Sequence, residues 1–234
     1  MAAETAVAVV QARMGSSRFP GKSLARFGES TVLQEIVRAL RRVEGLDVWV
    51  ATSDVAEDDP LVERCADEGV AIFRGSRDDV LDRVAACLEA LPEQPELVVR
   101  ICADRPFLTP ALVADVLDAY AELDRPDYVS NNLVRSYPDG LDVEVVRVEA
   151  LLEAARETDD PYDREHVTPF VYRHPERYAL AGLTCPWGDY SSVDLALDTP
   201  EDYERLTRLR ALVGEDADYL DVLNVVAVHP ELAA

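Results

Sequence analysis

The sequence predicts an α/β protein with a mostly parallel, mixed sheet that is covered by helices on both faces. Two observations carry this prediction. Apolar segments of strand length alternate with segments whose apolar residues recur at helical spacing. The strand segments are apolar on both faces, which is typical of parallel strands between helices. The chain has 234 residues, 48% of them hydrophobic, and we predict a single domain over 1–234.

The first half of the chain gives four strand–helix units. Apolar runs of strand length occupy residues 6–11, 47–53, 70–73 and 96–103. The first helix starts at a capping box formed by Thr31 and Gln34, and its apolar spacing continues to Val43. Further helices are predicted from about Asp59, over 78–90 and over 111–120.

After residue 125 the pattern changes. Residues 127–132 and 141–148 resemble two strands on either side of a turn at 137–140. A helix is predicted over 149–158. We interpret 126–190 as an insertion into the main fold.

A late strand is predicted over 194–198. The helix after it should begin with Thr199 as its cap and Pro200 at its first position. We interpret 191–213 as a return of the chain to the main sheet.

The formal net charge is −23 at pH 7. Such a protein repels nucleic acid and anionic membranes, so we expect neither as a partner. No apolar run approaches the roughly 20 residues that cross a bilayer, and residues 1–10 lack the basic start of a signal peptide. We expect a cytoplasmic protein. Free thiols, mostly buried, are expected because no C-x-x-C pair occurs among Cys65, Cys87, Cys102 and Cys185.

Lys22 is the only lysine among 23 basic residues. An acidic surface with almost no lysine is typical of a salt-rich cytoplasm, a halophile, where the repulsion of carboxylates is screened. A high-GC genome that favours arginine is the alternative interpretation. In either case, a lysine where arginine is otherwise used indicates that position 22 requires a compact ammonium.

A cationic loop follows the first strand, with the sequence QARMGSSRFPGKS at 11–23. Open α/β sheets bind ligands at this edge, beyond the carboxyl ends of the strands. Arg13, Arg18 and Lys22 supply positive charge, while amides and hydroxyls for phosphate oxygens come from Gly15, Ser16 and Ser17. We predict phosphate binding; the alternative is a surface loop with solvated arginines.

The loop is not a P-loop. Five residues separate Gly15 from Gly21, whereas the P-loop motif has four. Pro20 also removes an N–H that a phosphate nest would need.

The segment QARMGSSRFPGKSL closely resembles the signature of the cytidylyltransferases that activate sugar acids, such as the acylneuraminate and Kdo enzymes. It is most similar to the branch of spore-coat polysaccharide biosynthesis proteins. Further blocks resemble that branch in its order, at 50–53, 73–83, 99–110, 128–132, 137–145, 163–169 and 197–203. The resemblance implies a Rossmann-like three-layer α/β/α nucleotidyltransferase fold, related to GT-A, with an inserted acceptor-binding and dimerisation segment.

The resemblance implies that CTP is joined to a small anionic acceptor, giving a CMP conjugate and pyrophosphate. Arg13 and Lys22 would neutralise the α- and β-phosphates. Mg²⁺ would be required, with Asp104 and Asp198 as its carboxylates. Each aspartate also lies at the carboxyl end of a predicted strand, on the rim that carries the loop. The alternative for Asp198 is a carboxylate that stabilises the start of the next helix through the helix dipole.

For the nucleotide, the resemblance implies contacts from Gln11, Ala12, Arg13, Gly15, Ser16, Ser17, Arg18, Lys22, Ser53, Asp78 and Arg83. Asp78 and Asp79 could equally cap the next helix. For the acceptor, it implies contacts from Asn131, Asp142, Glu144, Arg164, Glu165 and His166. The alternatives are an exposed polar strand face for Asp142 and Glu144, and a surface helix for 164–166.

One residue departs from the branch pattern. Arg105 stands where a small or apolar residue is usual, and a cation there could contact a phosphate or compete with Mg²⁺. A homodimer through the inserted segment is expected. Rival functions are a nucleotidyltransferase for another base or for an alditol phosphate or phosphonate acceptor, and a nucleotide sensor without catalysis.

Overall fold

The computed structural model describes residues 5–233. Its strands are β1 (Ala6–Gln11), β2 (Arg26–Phe27), β3 (Ser30–Thr31), β4 (Leu46–Ser53), β5 (Ala71–Gly75), β6 (Leu97–Cys102), β7 (Tyr128–Ser130), β8 (Glu144–Arg147) and β9 (Leu180–Gly182). Its helices are α1 (Val32–Arg41), α2 (Asp59–Asp67), α3 (Val80–Glu89), α4 (Pro110–Glu122), α5 (Val148–Glu157), α6 (Pro161–His166), α7 (Pro169–Tyr172), α8 (Pro200–Val213) and α9 (Tyr219–Val228). Short 3-10 turns lie at Lys22–Leu24, Ala56–Asp58 and Pro230–Leu232.

Seven strands form one sheet in the order β5-β4-β1-β6-β8-β7-β9, and β2 pairs with β3 as a separate hairpin. The pairs β5–β4, β4–β1, β1–β6 and β7–β9 are parallel, whereas β8 runs antiparallel to β6 and β7. The sheet is therefore mixed and mostly parallel, which confirms the predicted fold class.

Both faces of the sheet are buried. In β1, Ala8 and Val10 belong to a core with α1, α4, α8 and α9, whereas Val7 and Val9 belong to a second core with α3, α5 and α7. Because both faces of β1 are buried, its residues 6–10 are all apolar. Within residues 5–233, no helix combines the length and the apolarity that a bilayer span requires.

The helix starts predicted from capping chemistry are confirmed. Thr31 accepts a hydrogen bond from the N–H of Gln34, whose side chain accepts one from the N–H of Thr31. Thr199 and Asp202 form the same reciprocal pair at the start of α8. Both arrangements satisfy N–H groups that have no partner inside the helix.

The predicted strand over 194–198 is wrong. This segment makes only an isolated bridge, with Asp139. The N–H of Leu195 donates to the Asp139 carbonyl and the N–H of Leu197 to the Asp104 carbonyl. The segment therefore crosses two loops instead of following one neighbouring strand, and residues 191–213 add no strand to the described sheet.

The two strands predicted after residue 125 are shorter than expected. The side-chain amide of Asn131 donates to the carbonyl of Leu141 at 2.6 Å and accepts from the N–H of Val143 at 2.8 Å. One side chain thus takes the place of a strand neighbour, so the chain enters β8 only at Glu144. The segment 126–190 nevertheless contributes β7, β8 and β9 to the main sheet.

Gly140 packs its turn against the segment that leads to Asp198. Its φ is +92°, and a Cβ there would lie 2.3 Å from the carbonyl carbon of Leu195 and 2.4 Å from the nitrogen of Ala196. Both are backbone atoms, so no side-chain rotation can relieve the contact.

We expect Gly140→Ala to lower the free energy of unfolding by about 4 kcal/mol, because backbone strain and a backbone clash combine. Gly45→Ala is the matched control: its φ is +73° and its Cβ would meet nothing within 4 Å, so strain alone should cost about 1 kcal/mol. Urea unfolding of both variants measures the difference. Equal losses would contradict the close packing assigned to Gly140.

Candidate functional site

A cleft of about 350 Å³ opens at the carboxyl ends of β1 and β6. It brings together, from the predicted sites, Gln11, Ala12, Arg13, Ser16, Ser17, Arg18, Lys22, Arg83, Asp104, Glu165, His166 and Asp198. Further lining residues are Ser23, Val80, Arg100, Cys102, Ala103 and Arg105. A larger cavity of about 910 Å³ lies at the opposite end of the sheet, where Trp49, Leu117 and Tyr120 line it. The concentration of charge marks the smaller cleft as the candidate site.

The cationic loop is anchored through Met14. The carbonyl of Met14 accepts from the N–H groups of Ser16 and Gly21, both at 2.9 Å. Gly21 has a φ of +76°, which favours glycine. The N–H of Met14 donates to the carboxylate of Asp58 at 2.6 Å. These bonds fold the loop back on itself, so that its cations face the cleft.

Asp58 is a positioning residue that sequence patterns did not reveal. Besides Met14, its carboxylate accepts from the hydroxyls of Thr52 and Ser53 and from the Ser53 N–H. Burial raises the pKa of Asp58, but the hydrogen bonds from Ser53, Met14 and Thr52 outweigh burial and hold its pKa below the ordinary value. Ser53 is 2% exposed and supports Asp58, while Gly15 faces Glu57. Neither residue lines the cleft.

The ammonium of Lys22 lies between the two predicted metal carboxylates. It donates to Asp104 at 2.9 Å, to Asp198 at 2.9 Å and to the carbonyl of Leu197 at 2.8 Å. The Leu197 N–H in turn donates to the Asp104 carbonyl at 3.0 Å. Three segments that are far apart in sequence are thereby joined at one nitrogen.

The two arginines of the loop are also paired with carboxylates. Arg18 lies 2.9 Å from Asp198, and Arg13 lies 3.2 Å from Glu165 on α6. These side chains are about half exposed, and exposed ion pairs contribute little to stability. The cations can therefore exchange these partners for a ligand at small cost.

The donor set fits a magnesium ion. Asp104 and Asp198 both lie within 2.9 Å of one nitrogen, and Mg²⁺ typically takes one or two carboxylates plus phosphate oxygens and water. Among residues 5–233, Asp104 Oδ1 is buried and has no hydrogen-bond partner, and it lies 3.5 Å from the Arg105 guanidinium. Burial raises the pKa of Asp104, but Arg105 and Lys22 outweigh it and lower that pKa. The described residues hold no group of three metal-ligating side chains, so further ligands would come from the substrate.

Arg105 is committed to three carboxylates. Its guanidinium lies 3.5 Å from Asp104, 3.0 Å from Asp139 and 3.0 Å from Asp142. Arg135 holds Asp142 from the other side at 2.8 Å. Arg105, the residue that departs from the branch pattern, therefore orients Asp104 and links the end of β6 to the 139–142 turn. Asp142, predicted to contact the acceptor, lies in this network and outside the cleft lining.

The start of α3 shows whether Asp78 and Asp79 contact the nucleotide or cap the helix. Asp79 caps the helix by accepting from the N–H of Asp82 at 2.8 Å, and the side chain of Asp78 is 96% exposed. Arg83 is buried in the cleft wall and donates to the carbonyl of Ser76 at 2.6 Å. Of the predicted polar wall, the structure places only Arg83 at the cleft.

A buried ion pair lies beneath the cleft. Arg100 donates to Gln11 at 3.0 Å and to Glu144, which also accepts from Tyr128 and Thr168. Burial raises the pKa of Glu144, but Arg100 and these hydrogen bonds outweigh burial and lower it. Glu144 is 3% exposed, so the alternative of an exposed polar strand face is wrong. The structure also does not bring Glu144, predicted to contact the acceptor, into the cleft lining. An arginine inside the apolar strand VVRIC is the sequence signal for this pair.

The remaining acceptor residues separate into two groups. Glu165 and His166 line the cleft. Asn131 is fully buried, and its side chain bonds to the backbone as described above. Arg164 donates to the carbonyls of Thr158 at 2.7 Å and Ala155 at 2.8 Å. The structure does not bring these last two predicted residues to the cleft. Cys102, expected to be buried, is only partly so at the cleft floor, and all four cysteines are free.

A family model described as cytidylyltransferase matches residues 7–224. The spore coat polysaccharide biosynthesis protein SpsF of Bacillus subtilis strain 168 is 32% identical over 96% of this chain and 95% of that protein. The 3-deoxy-manno-octulosonate cytidylyltransferase of Solibacter usitatus is 31% identical over 86% and 92% of the two chains. A cytidylyltransferase structure from Leptospira borgpetersenii superposes with a TM-score of 0.89, at 26% identity, over 99% and 97% of the two chains.

The Asp58 anchor predicts a pH dependence of stability. A carboxylate whose pKa is lowered by folding stabilises the protein above its unfolded pKa, about 3.9, and this contribution is lost as the pH falls through the folded pKa. Asp58→Asn should cost about 2 kcal/mol near neutral pH and make the acid-side decline shallower. Asp78→Asn, at an exposed carboxylate, is the control. Urea unfolding from neutral to acid pH measures both, and an unchanged decline in Asp58→Asn would contradict the anchor.

Proposed function

The chain belongs to the cytidylyltransferase family and is thus a nucleotidyltransferase, and on this premise we propose that it transfers CMP from CTP to an acidic sugar, with Mg²⁺ as cofactor. The convergence of the cationic loop with Asp104 and Asp198 on one cleft carries the proposal. A triphosphate needs positive charge, its metal needs carboxylates, and the cleft supplies both.

The reaction requires alignment and charge neutralisation more than covalent help. A hydroxyl oxygen of the acceptor attacks the α-phosphorus of CTP and loses its proton to water. The bond from that phosphorus to the bridging oxygen breaks, and pyrophosphate leaves with the bonding electrons on the opposite face. Arg13, Arg18 and Lys22 bind the phosphates, and Lys22 follows the charge that develops on the leaving group.

Asp104 and Asp198 would hold the Mg²⁺, whose chemistry is the neutralisation of phosphate charge and the orientation of the triphosphate. Arg105 fixes the Asp104 carboxylate from the side away from Lys22. Arg105 therefore serves the proposed metal site by positioning a ligand.

The base and the acceptor occupy different walls of the cleft in this proposal. Gln11, Ala12 and Arg83 line the wall that faces the cytosine in this proposal. Glu165 and His166 face the acceptor from α6. The spore coat and 3-deoxy-manno-octulosonate relatives support a sugar acid destined for a surface polysaccharide.

We also propose a cytoplasmic homodimer that associates through segment 126–190. Among the described residues, five large apolar side chains are more than half exposed, and three of them lie in this segment: Val134, Tyr162 and Trp187. Exposed apolar side chains are available to an interface there. The net charge of −23 supports a salt-rich native environment.

The decisive experiment measures pyrophosphate release with CTP, ATP, GTP and UTP against a panel of acceptors, at low and at multimolar KCl. The panel contains Kdo, N-acetylneuraminate and an alditol phosphate. We expect turnover only with CTP, Mg²⁺ and a sugar acid, and the CMP conjugate as product. Turnover confined to the alditol phosphate or to another nucleotide would overturn the proposal.

Lys22→Arg should lower kcat by about 100-fold or more while the fold remains intact. The guanidinium keeps the charge, but its planar fork cannot replace three converging ammonium bonds or move as a point charge. Arg26→Lys is the matched control, because Arg26 is an exposed cation on β2 outside the cleft. Wild-type turnover in Lys22→Arg would refute the proposed role of the ammonium.

A further inference from the structure

We propose that Lys22 is a placeholder cation, whose ammonium occupies the metal position until metal and triphosphate enter together. This inference rests on the proposed function and deepens it. It gives Lys22 a role in the ligand-free protein that differs from its role toward phosphate.

The coordination of the ammonium carries the proposal. All three of its N–H bonds are used, by Asp104, Asp198 and the Leu197 carbonyl, at 2.8–2.9 Å. The side chain of Lys22 is 13% exposed, so it is held inside the cleft. A divalent ion that used both carboxylates would need the same space between the same oxygens.

The ammonium and the metal therefore exclude each other. A metal entering alone must displace a cation that already compensates both carboxylates, and this cation gives up three hydrogen bonds of 2.8–2.9 Å. Removing one partner from such a pair is costly because it leaves the other charge uncompensated. Metal binding in the absence of nucleotide is consequently weakened by Lys22.

A triphosphate removes this obstacle. Its oxygens offer acceptors to Lys22 on its flexible four-carbon stem and to Arg18, which lies 2.9 Å from Asp198. When both cations move to the phosphates, the carboxylates of Asp104 and Asp198 become free for the metal. Metal and nucleotide then bind with positive coupling, as two ligands that share one displaced group do.

Lys22 also stabilises the pair of carboxylates when no ligand is bound. Two carboxylates held this close repel each other, and Lys22 neutralises them without a metal. Arg105 fixes Asp104 on its other side at 3.5 Å, so the carboxylate keeps its place when the ammonium departs.

Binding of Mn²⁺ in the absence of nucleotide tests the proposal, using paramagnetic resonance of free Mn²⁺ on the full chain. Lys22→Met should bind Mn²⁺ about tenfold more tightly than wild type, within the range of ordinary coupling. Arg26→Met, which removes an exposed cation outside the cleft, should match wild type. Adding Asp198→Asn to Lys22→Met should abolish the gain. Equal or weaker Mn²⁺ binding by Lys22→Met would overturn the proposal.

A second measurement uses wild-type protein and needs no variant to fold. Because Lys22 is the only lysine, lysine labelled with ¹⁵N at Nζ gives one side-chain signal. We expect this signal to change when CTP and Mg²⁺ are present together and to change little with Mg²⁺ alone. An unchanged signal with both ligands bound would mean that the ammonium does not move, which overturns the exchange.

The two proposals fail separately. If no sugar acid is turned over while Lys22→Met still binds Mn²⁺ more tightly, the placeholder stands and the proposed acceptor is wrong. If CMP transfer to a sugar acid is observed while Lys22→Met shows no gain, the function stands and the placeholder is wrong.

Discussion

The ammonium of Lys22, held by Asp104, Asp198 and the Leu197 carbonyl, is the interaction on which the cleft depends. It joins the end of β6, the segment before α8 and the loop after β1. The protein as a whole has a net charge of −23, but its cleft is lined by more cations than carboxylates. Local order in the cleft comes from how these opposite charges pair. Arg105 and Arg135 extend the same principle to the 139–142 turn.

The sequence predicts those parts of the structure that depend on local pattern. Thr31 and Gln34 predict the start of α1 because a capping box lies within four consecutive residues and is visible in the sequence. Asp104 is expected at the sheet edge because it follows an apolar strand. α9 is missed because its residues are almost all apolar and show no helical alternation, and α7 is too short to show a period. A helix at 164–166 is only the alternative interpretation of the sequence, and α6 ends there at His166.

The parts that sequence patterns miss depend on contacts between distant segments. Asp58 anchors the loop through Met14, 44 residues away, and nothing in its neighbourhood marks it. The strand expected over 194–198 has the right apolar alternation, but Asp104 and Asp139 take its backbone bonds from two different loops. Glu144 alternates as an exposed residue would, yet Arg100 draws it into the core. In each case a tertiary partner overrides the local pattern.

The order of strands has a consequence for how such an enzyme could diversify. The proposed triphosphate machinery lies on β1 and β6, whereas β8, β7 and β9 come from segment 126–190 and join the sheet beyond β6. That segment supplies α6 to one wall, whereas the loop and both aspartates lie outside it. Under the proposed function, a change of acceptor would therefore involve one contiguous segment of the chain, while the residues proposed to bind the triphosphate lie outside that segment.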